Sequence, residues 1–183
     1  RSTSSPVKMQ MTEIPSALTY YNPDPAAPTY YTVTFVDWDG TELKSETVAA
    51  GGAATAPANP TREGYIFMGW DKDFSNVTED MTVTATYLIN SYLLTVYYVY
   101  EDGTTAKTPY TGTYNYGASY SVTSPEVVGY TPDQAVVTGT MGAAPVEVTV
   151  TYHPIPYTVT FVDWDGTVLK TETVTYGGSA TAP

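Results

Sequence analysis

YTVTFVDWDGTELKSETVAAGGAATAP spans residues 31–57, and YTVTFVDWDGTVLKTETVTYGGSATAP spans residues 157–183. The offset is 126, and 22 of 27 positions are identical. The differences are Glu42/Val168, Ser45/Thr171, Ala49/Thr175, Ala50/Tyr176 and Ala53/Ser179. Repetition of this quality decides the organisation before any single residue does. Within the stretch, Tyr31, Val33 and Phe35 alternate with Thr32, Thr34 and Val36, as in a half-buried strand. Asp39-Gly40 then signals a hairpin. A two-residue loop would set Phe35 opposite Lys44. A three-residue loop Trp38-Asp39-Gly40, with a left-handed glycine, sets Phe35 opposite Leu43 and Thr34 opposite Lys44. The second register keeps charge away from the core and is the one expected. It places Lys44 and Lys170 on the outer face.

A more distant copy lies between the two. LLTVYYVYEDGTT (93–105) aligns with YYTVTFVDWDGTE (30–42) when the Asp-Gly pairs are matched. Leu94, Val96, Tyr98 and Tyr100 then fall on Tyr31, Val33, Phe35 and Asp37, and the hairpin register sets Tyr98 opposite Ala106 and Tyr97 opposite Lys107. Each unit carries a Gly-Tyr pair, Gly64-Tyr65 and Gly129-Tyr130, and each closes on a similar strand, VTATY (83–87) and VTVTY (148–152). From that Gly to the final Tyr is 23 residues in both. The expected division is therefore a linker or tail of a preceding unit at 1–30, a module at 31–89, a second at 91–153, and a linker plus the first hairpin of a truncated copy at 154–183. The absence of a Met before Arg1 points to a piece of something longer.

After the first hairpin, GGAATAPANPTREGY is rich in Gly, Ala and Pro and suits a short helix near 56–63 or an irregular crossover. IFMGW (66–70) and TVTATY (82–87) read as further strands, joined by a polar stretch from Asp71 to Asp80. Hairpin, long crossover and two more strands make a mainly β (α+β) fold of tandem β-grasp-like, ubiquitin-like modules. A module of this size has a small core, and a lone hairpin such as 157–183 is marginal in water. Either the chain was cut there, or its edge pairs with another segment or molecule.

The pattern YTVTFVDWDGT…L…ETV…GG…AP…P.R.GY.F.GW…VTATY over 31–87 resembles the Listeria–Bacteroides repeat of the internalin B-repeat type. Its most specific part is Gly64, Tyr65, Phe67, Gly69 and Trp70. The middle unit, about 92–152, resembles a mucin-binding-protein (MucBP-type) repeat. The resemblance implies tandem modules of a Gram-positive-type bacterial surface protein, secreted and attached at the cell wall, with no active site.

Composition agrees. Thr (33), Val (20) and Tyr (18) replace charged residues, which are only 14%. The net charge of -12 removes the basic stripe that nucleic acid needs, and no apolar run is long enough for a bilayer span. With no cysteine and one histidine, His153, thiolate chemistry is absent and nucleophilic catalysis lacks a base. His153 reads as part of the stiff His-Pro-Ile-Pro joint. Asp37, Asp39, Asp102 and Asp165 sit at turns, where Asp serves the backbone. Asp37-Trp38-Asp39-Gly40 departs from a calcium loop, because its Gly comes too early and Val48 stands where Glu is needed. No enzyme, no metal site and no cofactor are expected.

The favoured role is an extended stalk or spacer for adhesion. The alternative is direct binding of host mucin, another glycan or a host surface protein through exposed rings. The candidate rings are Tyr97, Tyr114, Tyr116 and Tyr120 in the middle unit, with Trp38 and Trp164 at hairpin tips. Homotypic pairing through open sheet edges is a third possibility.

Overall fold

The computed structural model describes residues 26–183. The expected linker at 1–30 lies outside them as far as residue 25. Twelve strands and no helix make up the described residues. The first unit holds β1 (Tyr30–Val36), β2 (Glu42–Ala49), β3 (Tyr65–Trp70) and β4 (Met81–Ile89) in the order β2-β1-β4-β3. β1 and β4 run parallel at the centre, with Val33 opposite Met81 and Val36 opposite Thr84. The outer strands are antiparallel to them. This is a β-grasp-like sheet.

The middle unit repeats it with β5 (Ser91–Tyr100), β6 (Thr105–Asn115), β8 (Tyr130–Pro132) and β10 (Val146–Pro154), in the order β6-β5-β10-β8. β7 (Ser119–Thr123) and β9 (Val136–Thr140) form a second, two-stranded layer. The third unit is the hairpin β11 (Pro156–Val162) and β12 (Val168–Thr175).

Of the two forms open to the crossover, the irregular one is found. Residues 50–64 contain no helix and instead bond to the connection before β4: Gly51 N–H donates to Val77 O (2.7 Å), Val77 N–H to Gly52 O (2.8 Å) and Ala54 N–H to Phe74 O (2.9 Å). In the middle unit the same contacts grow into β7 and β9. Gly117 N–H donates to Met141 O and Met141 N–H to Ala118 O, each at 2.8 Å. Extended, Gly- and Ala-rich chain suits this role, because two crossing segments must lie flat over one sheet face. Beneath them sit two separate cores. Val33, Phe35, Val77 and Val83 centre the first; Leu94, Val96, Met141, Val150 and Tyr152 centre the second.

The three-residue loop is present in every unit. Asp37 N–H donates to Thr41 O, Gly40 N–H to Asp37 O, and Gly40 has φ +86°. Glu101-Asp102-Gly103 and Trp164-Asp165-Gly166 repeat it. The register beyond the loop differs from expectation. Val36 faces Glu42, but Phe35 faces Lys44, because a bulge takes up Leu43. Leu43 thereby packs against the core, and Lys44 comes to the rim of the inner face rather than the outer one. In the middle unit Tyr98 faces Lys107, not Ala106.

The alignment of the two units also shifts. Leu94 faces Val146 across the central pair as Val33 faces Met81, so Leu94 stands where Val33 does, not Tyr31. The middle hairpin is longer, and its extra residues carry the Asp-Gly turn outward.

Lys44 has a use at the rim. Its Nζ donates to the Thr55 carbonyl, Thr55 N–H donates to Glu46 Oε1, and Lys44 and Glu46 are 3.3 Å apart. One Lys-x-Glu strand edge thus holds both backbone groups of a crossover residue. Lys170 and Glu172 hold Thr181 the same way, with Thr181 N–H 2.5 Å from Glu172 Oε1.

The Thr55 and Thr181 amides, then the paired lysines, hold the Glu46 and Glu172 carboxyls below the usual range. Hydrogen bonds from Thr41, Thr104 and Thr167 do the same for Asp39, Asp102 and Asp165. Depressed folded-state values stabilise the fold fully above the unfolded values, 4.5 for Glu and 3.8 for Asp, and that contribution is lost as pH falls from there through the lower folded values. Melting temperature is therefore expected to be flat from neutral pH down to the onset of carboxylate protonation and to drop below it. Glu46→Gln should flatten part of the drop. A melt series in which acid leaves the wild type unchanged rejects the clamp as a stabilising element.

Candidate functional site

Two kinds of feature recur: joints between units, and aromatic corners at the hairpin tips. Each joint is a single residue. β4 runs into β5 through Asn90, and β10 into β11 through Ile155. Asn90 N–H donates to Gly64 O, and Asn90 O accepts from Tyr116 N–H, both at 2.8 Å. Ile155 repeats this with Gly129 O (2.9 Å) and Tyr176 N–H (2.8 Å).

A ring then lies on the glycine. A methyl group added at Gly64 would sit 2.1 Å from Tyr116 Cγ, and one at Gly129 would sit 2.3 Å from the Tyr176 ring. Both glycines have positive φ, +76° and +80°. The neighbouring tyrosine packs edge-on: Tyr65 to Tyr116 is 6.1 Å and Tyr130 to Tyr176 is 5.8 Å between centroids. The Tyr-Gly of one unit therefore docks on the Gly-Tyr of the unit before it. The first unit has Ala50 at the docking position, where Ala50 N–H donates to Thr29 O (2.8 Å). The sequence signal was present twice, in the Gly-Tyr landmark and in the Ala50/Tyr176 difference.

At the first hairpin tip, Trp38 is not a free ring. The Arg62 guanidinium lies 3.8 Å from its centroid and 3.6 Å from that of Tyr65, with Tyr87 at 5.7 Å. Tyr87 donates its hydroxyl to Asp37 at 2.7 Å, and burial followed by that contact pushes its pKa up to about 12. Trp164, its counterpart on the lone hairpin, is 93% exposed against 52% for Trp38, because no arginine reaches it.

The remaining candidates do not form one site. Tyr97 is on the outer face and donates to Glu147 at 3.1 Å, and that contact raises its pKa. Tyr114 and Tyr120 pack against the core on the opposite face, 5.7 Å apart, and Tyr114 shares a 2.8 Å hydrogen bond with Tyr110. Tyr116 belongs to the joint. Tyr65, Tyr87, Tyr130 and Tyr176 stand out in the sequence as repeat landmarks or differences but not as site residues, and Arg62 only as part of the repeat pattern, because their neighbours come from distant strands. Among the described residues, no group of three or more acidic or histidine side chains is placed to hold a metal ion.

Tandem β-grasp-like sheets with repeated docking joints define a repeat protein. Residues 31–93 match the family model of the Listeria-Bacteroides repeat domain, and residues 94–153 match that of the MucBP domain. Both are repeat or binding domains. A curated relative, a putative membrane protein of Evansella cellulosilytica, is 28% identical over 109 residues, which is 54% of this chain and 16% of the relative. The chain thus spans about one sixth of that relative's length. Solved structures with some likeness include the type 2 repeat of the mucus binding protein MUB from Lactobacillus reuteri. It is 17% identical with a TM-score of 0.32, covering 69% of this chain and 99% of that one. A MucBP domain of a Lactobacillus acidophilus protein is 21% identical with a TM-score of 0.31, covering 36% and 92%.

Proposed function

We propose that the chain is a non-enzymatic segment of a bacterial cell-surface protein and serves as a stiff spacer that holds an adhesive part away from the cell wall. The observation that carries this is the joint. A one-residue linker, hydrogen-bonded on both sides and capped by a ring on a glycine, leaves little backbone free to bend. Its recurrence at Asn90 and Ile155 fits a rod built by repetition. Small-angle scattering of the whole chain tests it: a maximum dimension close to that of the straight chain of units supports a spacer. A broad distribution of shorter dimensions rejects it.

The MucBP match favours a second reading, direct attachment to mucin or another glycan. Tyr97, with Trp38 and Trp164, offers ring surface to solvent, and Tyr114, Tyr116 and Tyr120 offer less. On this reading the chain binds immobilised mucin saturably, and Tyr97→Ala weakens binding. Absence of binding at high protein concentration leaves only the spacer. Homotypic pairing would use β11, whose edge equivalent to the β4-bearing edge of β1 is unpaired among the described residues. A concentration-dependent dimer, lost on deleting 157–183, is its signature.

A further inference from the structure

The middle unit has a cleft at the corner where the first unit holds Arg62. The turn that presents Arg62 is closed by Tyr65 N–H on Arg62 O at 3.0 Å. The middle unit has the same turn, closed by Tyr130 N–H on Val127 O at 3.0 Å. Val127 therefore stands at the Arg62 position, and its side chain is buried in the core. The two tyrosines of the corner are retained, while Glu101 takes the loop position of Trp38. Tyr130 stands for Tyr65, Tyr152 for Tyr87, and the longer hairpin brings Tyr100, Glu101 and Asp102 to the same place. Together with Pro154 they line a cleft of about 200 Å³.

No lysine or arginine lines this cleft. The Tyr100 and Tyr130 rings touch each other, with centroids 4.8 Å apart, so a ligand would meet them from the open side. Two carboxylates stand beside the rings. Asp102 Oδ1 is occupied by the Thr104 amide and hydroxyl, which leaves Oδ2 free to accept. Glu101 Oε1 is 2.5 Å from His153 Nδ1, and its second oxygen has no such contact. Ring faces attract cations, carboxylates hold their N–H groups, and the net charge of -12 adds long-range attraction.

We propose that this cleft binds an alkyl guanidinium or ammonium group, as carried by an arginine or lysine side chain of a partner protein. The first unit supplies such a cation from its own chain; the middle unit takes one from outside. The site is independent of whether the segment spaces or adheres.

The test uses the full chain and methylguanidinium chloride, followed by NMR shifts at matched ionic strength. N-methylurea serves as the neutral isostere and N-acetylgalactosamine as a sugar. The expected result is saturable millimolar binding seen at Gly103, Tyr130 and Asp102, weakened about tenfold by Glu101→Gln with Asp102→Asn, and absent with the urea. Both substitutions are at an exposed hairpin tip and leave the core intact. Shifts spread over acidic residues generally and unaffected by the double variant would overturn the proposal. So would equal binding of the urea, or saturation by the sugar alone.

Discussion

Gly64→Ala is expected to uncouple the first unit from the middle one. Two costs coincide there. A side chain at φ +76° is strained by about 1–2 kcal/mol. The added carbon would also occupy the position of the Tyr116 ring, 2.1 Å from Cγ, so the ring must leave. Once it leaves, the edge contact with Tyr65 goes with it, and the hydrogen bonds through Asn90 lose their shield from water. Scattering should show a shorter, broader distribution of dimensions, and unfolding should split into two transitions. Tyr116→Ala removes the ring without backbone strain, so it should loosen the joint while leaving the first unit's own stability unchanged. A Gly64→Ala chain with wild-type dimensions and a single transition would show that the ring does not set the geometry.

Phe35→Ala is expected to unfold the first unit and spare the middle one. Phe35 has no exposed surface and meets Trp70 and Phe74 edge-on, with centroids at 5.0 and 5.2 Å. Removing a buried Phe costs about 3–5 kcal/mol. A domain's whole stability is about 5–15 kcal/mol, and a module this small lies at the low end. Phe161 has the identical local sequence but is only half-buried, with the Lys170 amine 5.9 Å from its ring centroid. Phe161→Ala should cost about 1 kcal/mol or less. Denaturant unfolding followed by tryptophan fluorescence separates the two. Equal losses would refute the idea that burial, rather than local hairpin propensity, holds the first unit.

Much of this architecture was legible. Alternation in Tyr31–Val36, the Asp-Gly turns and the shared Gly-to-Tyr spacing locate most of the strands, because each depends on neighbouring residues or on a count. The left-handed Gly40, Gly103 and Gly166 follow from loop chemistry alone. The register readings failed for a common reason. The bulge at Leu43 moved Phe35 opposite Lys44, the longer middle hairpin moved Leu94 onto the Val33 position, and both lysines came to the inner rim. Each is an insertion into a ladder whose effect depends on what lies across it. Lys44 is tolerated inside because Thr55, 11 residues on, offers a carbonyl, and Glu46 takes the matching amide.

The joints and corners show the same division more sharply. Val127 is an unremarkable valine in sequence, and only its turn places it at the Arg62 position, turning an internal cation–ring stack into an open cleft. Likewise Ala50, Tyr116 and Tyr176 differ by a ring whose meaning appears only when the glycine of the preceding unit lies beneath it. Short-range chemistry, namely side-chain period, turn residues and repetition, was enough to set the class of fold and the order of the units. Contacts between residues far apart in the chain decided register, docking and which corner stayed open, because pairing across a sheet and packing across a joint are set by shape and charge that no local pattern encodes.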